Sequence, residues 1–118
     1  MEITLYDKNG NPIAYIADDN ETVYLWDGRA VAYINGDLVY GFNGTHLGWF
    51  IREVIYDKQG RKIGFIDKTC SLVKSVKPVK SVKHVKSVKS GRSIANIRPV
   101  LSIGYSNDSL ESFLERGK

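Results

Sequence analysis

The sequence predicts an all-β fold: four hairpin repeats around a pseudo-fourfold axis, followed by an extended basic segment and a short C-terminal helix. Three observations lead there. One motif recurs four times within residues 1–70. A run of Val-Lys-x triplets, "VKSVKPVKSVKHVKSVKS", fills Val73–Ser90 with period three. The closing "NDSLESFLERG" has a helix-start pattern, one apolar stripe and a terminal glycine.

The repeats come first, because a fixed internal period decides the architecture. "LYDKNGNPIAYI" (Leu5–Ile16) returns as "LWDGRAVAYI" (Leu25–Ile34), "GFNGTHLGWF" (Gly41–Phe50) and "IYDKQGRKIGFI" (Ile55–Ile66). Each copy runs aromatic, Asp or Asn, glycine, aliphatic, small residue, aromatic, then an aliphatic or, in the third copy, Phe50. Gly10, Gly28, Gly44 and Gly60 are spaced by 18, 16 and 16 residues, and each is five positions before Tyr15, Tyr33, Trp49 or Phe65. These four glycines are the expected structural turn residues. Asp27-Gly28 and Asn43-Gly44 suggest two-residue turns, while "DKNG" and "DKQG" suggest type I turns closed by a left-handed glycine. Tyr6, Trp26, Phe42 and Tyr56 align ahead of the turns. The small slot (Ala14, Ala32, Gly48, Gly64) implies crowding where four hairpins converge. One such hairpin cannot bury its apolar face alone, but four around an axis cover one another.

The triplets come next. In a strand, period three would throw successive valines onto opposite faces, and in an α-helix they would spiral around the cylinder. Polyproline II has three residues per turn and aligns Val73, Val76, Val79, Val82, Val85 and Val88 in one row, over a reach of roughly 55 Å. An extended chain, with disorder as the competitor, is therefore expected over residues 71–92. Residues 93–118 follow as an apolar return segment ending in a two-turn helix. There Ile94, Ile97, Val100, Leu101 and Ile103 are apolar enough to rejoin a core, Asp108 and Glu111 form a capping-box pair, and Leu110, Phe113 and Leu114 make the stripe. So short a helix needs a surface to dock against.

Charge divides the chain in the same places. Residues 1–70 carry seven Lys/Arg against ten Asp/Glu, and residues 71–118 carry ten against three, which sums to the net +4. No acid lies between Ser71 and Asn107. The row Lys74, Lys77, Lys80, Lys83, Lys86, Lys89, with Arg92, is therefore the candidate polyanion-binding set, suited to a phosphate backbone or an anionic surface without sequence preference. No aromatic residue interleaves with it to stack on bases.

The petal motifs and the triplets together resemble the four-fold β-flower family, small bacterial proteins of hairpin petals followed by Val-Arg-x or Val-Lys-x triplets. The resemblance spans Leu5–Ile66 and Val73–Ser90, with lysine where arginine and serine where proline would be usual in the family. It implies the fold and brings no catalytic residue or activity.

Catalytic chemistry has little support. His46 and His84 are 38 residues apart without metal-ligand spacing, and His46, just past a turn glycine, reads as an exposed turn residue. Asp7, Asp27, Asp57 and Asn43 read as turn-forming residues rather than a cation site. The lone Cys70 reads as a small buried hydrophobe. No cofactor is expected. The opening "MEITLYDKNG" has no apolar core and no run approaches ~20 apolar residues, so cytoplasmic residence without a spanning helix is expected. The sequence thus points to a non-enzymatic interaction module whose basic tail contacts a polyanion or a partner protein. The alternative is an assembly protein whose tail and C-terminal helix dock between subunits of a homo-oligomer.

Overall fold

A computed structural model describes residues 2–70, 74–86 and 88–117, so Val73 of the valine row lies outside the described residues. Eight antiparallel strands close into a barrel in sequence order: β1 (Ile3–Tyr6), β2 (Pro12–Ile16), β3 (Thr22–Leu25), β4 (Ala30–Asn35), β5 (Leu38–Gly41), β6 (His46–Ile51), β7 (Val54–Tyr56) and β8 (Lys62–Phe65). The four predicted hairpins are β1–β2, β3–β4, β5–β6 and β7–β8, and a Tyr6–Phe65 pairing closes the ring.

Each hairpin supplies the same interior layer. Leu5, Val23, Val39 and Ile55 lie opposite Ala14, Ala32, Gly48 and Gly64, and all four aliphatics are fully buried. The predicted crowding is real. A Cβ built on Gly48 would collide with the Tyr56 carbonyl oxygen and come within 3.0 Å of the Phe113 ring. One on Gly64 would lie 3.1 Å from Leu110 Cδ1. Directly beyond this layer, each hairpin carries a bulge whose extra residue is Ile13, Val31, Leu47 or Ile63. The bulge swings that side chain toward the core and bends the petal, as an unpaired residue in a ladder does.

The turns correct two expectations. All four are the same. Gly10, Gly28, Gly44 and Gly60 donate their N–H to the carbonyl three residues earlier, and Asp7, Leu25, Gly41 and Asp57 donate to the carbonyl four residues later. All four glycines have φ between 80° and 96°, whereas Asp27 and Asn43 keep negative φ, so neither pair forms a two-residue turn of the primed type. The aromatics that align structurally are accordingly Tyr6, Tyr24, Tyr40 and Tyr56, each four residues before its glycine. Trp26 and Phe42 lie inside the turns and pack on Tyr15 and Tyr33, at ring separations of 5.1 and 5.7 Å.

The barrel is stopped by α1 (Leu110–Glu115), whose Leu110, Phe113 and Leu114 join the interior aliphatics. Its N-cap is Ser109, which accepts the Ser112 N–H, rather than Asp108. The Asp108 carboxylate instead pairs with Arg116. The docking surface for this helix is therefore its own barrel.

Between barrel and plug, the chain runs around the outside as a belt. The N–H groups of Ser75, His84, Ser93 and Ser102, nine residues apart, donate to the carbonyls of Gly10, Gly28, Gly44 and Gly60 in turn. Three triplets thus advance the belt by one petal. At ~3.1 Å per residue, nine residues cover ~28 Å, and four such steps would trace a circle ~36 Å across. The molecule is a disc of 38 × 38 × 23 Å, so the belt is close to fully extended around its rim.

Candidate functional site

The three rows of an extended three-residue repeat lie about 120° apart, so pinning two of them aims the third. The third-slot row faces inward. Besides the four glycine contacts, the N–H groups of Ser81 and Ser90 donate to the Trp26 and Phe42 carbonyls. Ser75 Oγ bonds Asn11, and Ser93 Oγ accepts the His46 N–H. Pro78 and Pro99 occupy third slots and have no N–H to donate.

The second-slot row holds the predicted cations, and most lie along the barrel wall. Lys74 pairs with Asp67 at 3.5 Å, Lys83 with Glu2 at 3.2 Å, Lys86 with Asp19 at 3.9 Å and Lys89 with Glu21 at 2.7 Å. Lys80 also pairs with Glu2. Several cross aromatic faces on the way: Lys80 Nζ is 4.8 Å from the Tyr15 centroid, Lys83 5.2 Å from Tyr24 and Lys89 4.2 Å from Tyr33. Arg92 lies 5.8 Å from Tyr40. Lys77, Arg92 and Arg98 have no acid partner among the described residues. The basic tail and acidic head are thus largely one neutralised surface. Burial pushes the Asp19 carboxyl up, but hydrogen bonds from Thr22 and the Glu21 N–H, with Lys86 nearby, prevail and hold it at about 2.

The first-slot row faces solvent. Val76, Val79, Val82, Val85, Val88, Ile94, Ile97, Val100 and Ile103 are 88–98 % exposed. Ile94, Ile97, Val100 and Ile103 therefore do not rejoin the core as their apolarity suggested; they continue the valine row past Gly91. That continuation is visible as an unbroken period of three from Val73 to Ile103, once Gly91-Arg92-Ser93 is accepted as a triplet.

His46 is not an exposed turn residue but a buried one, 1 % exposed, and it fastens the belt. Its Nδ1 accepts the Asn96 N–H at 3.0 Å and its Nε2 bonds the Gly48 carbonyl at 2.8 Å, which sets the neutral Nε2–H form. Trp49 and Tyr40 flank the ring, at 4.8 and 5.3 Å. Burial holds its pKa below the usual histidine value, and Lys58 pushes the same way. His84 stays exposed, and its backbone N–H donates to the Gly28 carbonyl.

The Asx residues serve the turns. Asp7 and Asp57 each accept two N–H groups of their own turn, while Asp27 and Asn43 accept those of Arg29 and Thr45. Among the described residues no group of three or more His, Cys, Asp or Glu is placed to hold a metal ion. A cleft of about 580 Å³ opens between the third and fourth petals and α1, lined by Asp57, Lys58, Arg61, Asp108, Phe113 and Arg116. Its charges largely face one another, with Arg61 3.7 Å from Asp57 and Arg116 on Asp108. No described helix is long and apolar enough to cross a membrane.

A closed barrel of four identical petals, plugged by a helix and bound by a period-three belt, defines a small belted-barrel module. The chain matches the family model described as 4-fold beta flower protein over residues 3–114, and it belongs to that family. Searches of curated proteins and of solved structures return no match.

Proposed function

We propose that the protein is a non-enzymatic interaction module whose contact face is the first-slot row of the belt, and whose partner is a protein offering an apolar surface. One observation carries this reading: nine branched aliphatics, each at least 88 % exposed, stand in one row. Soluble proteins rarely leave so extended an apolar surface uncovered unless it meets something. The lysines support the same orientation, since pairing them with the head leaves the outer row uncharged.

A second reading rests on the +7 balance of residues 71–118 and on Lys77, Arg92 and Arg98, which have no acid partner among the described residues. In it, the row Lys74, Lys77, Lys80, Lys83, Lys86 and Lys89, with Arg92, binds a polyanion by exchanging its internal acid partners for phosphates.

Two variants separate the readings. Val76, Val79, Val82 and Val85 all changed to Ser should abolish retention on a phenyl matrix at high salt and leave heparin retention unchanged. Lys77, Lys80, Lys83 and Lys86 all changed to Gln should do the reverse if the cations work. Retention on neither matrix by the unaltered protein would leave the belt a structural brace and end both readings.

A further inference from the structure

The partner of the aliphatic row can be narrowed by geometry. With the third-slot row turned inward onto the petal turns, and the second-slot row laid up the wall toward Glu2, Asp19 and Glu21, the first-slot row points outward and away from that rim. Glu2, Asp19 and Glu21 lie at the strand ends opposite the petal turns. The aliphatics therefore stand around the turn face of the disc, on the side that carries α1, whose Glu115 and Arg116 reach the second and third turns.

Successive aliphatics are three residues apart, ~9.3 Å along an extended chain. A side chain entering midway between two of them sits about 4.6 Å from each, near the separation at which aliphatic groups touch. A partner that fills this row must repeat at the same ~9.3 Å and follow the same ~36 Å circle. Another belt does both. Each exposed Val or Ile offers roughly 100 Å² of apolar area, so the row offers about 900 Å² per copy, against the ~800 Å² per partner of a standard stable interface. The outer row bears no charge, and Lys80, Lys83, Lys86 and Lys89 are turned toward acids at the opposite rim, so those charges do not oppose face-to-face approach.

We infer that the partner is a second copy of this chain, and that two discs stack turn face to turn face about a twofold axis with their aliphatic rows interleaved. This rests on the proposed function, because it uses the same row, and it adds the identity of the occupant. An isologous contact of this kind closes on itself and ends at the dimer.

The test is the mass of the full chain in solution, by sedimentation equilibrium from micromolar to millimolar concentration, at low and at molar salt. The expected result is twice the chain mass of 13.3 kDa, held at high salt because apolar burial is not screened. Val82, Val85 and Ile97 all changed to Ser should return the monomer with its barrel still folded, since all three side chains are exposed in the single chain. A wild-type monomer throughout the range overturns the inference. So does a dimer that survives the triple change, or one that dissociates in salt. If the monomer still needs its aliphatics to bind the phenyl matrix, the interaction-module reading stands and only the second-copy assignment falls. If they make no difference there, both fall.

Discussion

The petals and the belt are both repeats, yet they hold their shape by different means. A petal alternates with period two, so its two strands satisfy each other's backbone and its inward side chains meet at one axis. The belt has period three and offers no partner to itself. Its described N–H contacts to the barrel go to carbonyls the petals leave free at their turns and to His46, and its first-slot side chains remain in water. The petals can therefore exist without the belt, while the belt takes its shape from the petals. Local stability should follow that order, with the belt opening well before the barrel.

The plug belongs to the petals' side of this division, and its removal should have the largest effect. Phe113 is 1 % exposed among the interior aliphatics, and a Cβ on Gly48 would nearly touch its ring. Phe113→Ala leaves a cavity where collapse is limited by the closed barrel, at a cost of about 3–5 kcal/mol. In chemical denaturation the midpoint of the barrel signal should fall. If the barrel signal stays in place, α1 is an appendage, and the core does not include it.

Glycine substitutions measure how far belt and petals depend on each other. Gly28 and Gly36 both have positive φ, at 96° and 63°, so Val at either is strained by about 1–3 kcal/mol. They differ in what a Cβ would meet. At Gly36 nothing lies within 4 Å, whereas at Gly28 the Cβ would run into the Val82 carbonyl oxygen of the belt. Gly28→Val should therefore lower stability like Gly36→Val and also lift the belt. The added effect should be fast tryptic cleavage after Lys80, Lys83 and Lys86. Equal cleavage of the two variants would show that the belt is not seated at this turn.

The same contrast governs what the sequence disclosed. Four hairpins were legible because glycine, small residue and aromatic recur at fixed spacing, and each has a local steric cause. The turn type was not. Asp-Gly and Asn-Gly favour a two-residue turn locally, but closing four equal petals requires the longer turn and bulge at every copy, with Tyr24 and Tyr40 on the wall and Trp26 and Phe42 in the turns. In the belt, period three revealed an extended chain with three rows. Which row faces the barrel depends on carbonyls left free by the turns and on acids at the far rim, and neither shows in the triplets themselves. The burial of His46 is hidden for a related reason: it is imposed by Asn96 and Trp49, of which Asn96 is 50 residues away.

His46 also gives the belt a pH dependence of its own. Its Nδ1 must be unprotonated to accept the Asn96 N–H, and burial depresses its pKa below the unfolded value of about 6.5. The unfolded chain then binds a proton more readily than the folded one. The contribution is fully present above pH ~6.5 and is lost as pH falls toward the folded pKa. Exchange of the Asn96 amide, read by hydrogen exchange, should accelerate selectively as pH drops through this window, relative to amides of β3 and β5 and after correction for the intrinsic rate. His46→Phe should remove the selectivity. If Asn96 and the strand amides respond alike, the ring does not fasten the belt.

The smallest effect is expected where the charges are most numerous. Lys80 and Lys83 share Glu2 and lie over Tyr15 and Tyr24, with side chains 43 % and 41 % exposed. Pairs this open to solvent contribute about 0–1 kcal/mol each and weaken with salt. Changing both lysines to Gln should shift the thermal midpoint only slightly, and molar salt should erase the difference from wild type. Gln keeps most of the aliphatic stem, so packing over the tyrosines is largely retained. The belt's tryptic protection at its remaining basic residues should also persist, because the third-slot N–H groups of Ser81 and His84 still hold it to Trp26 and Gly28. A large loss at low salt that molar salt reproduces in wild type would give the opposite result. Electrostatics rather than turn carbonyls would then hold the belt, and the lysines could leave the barrel for a stronger anion.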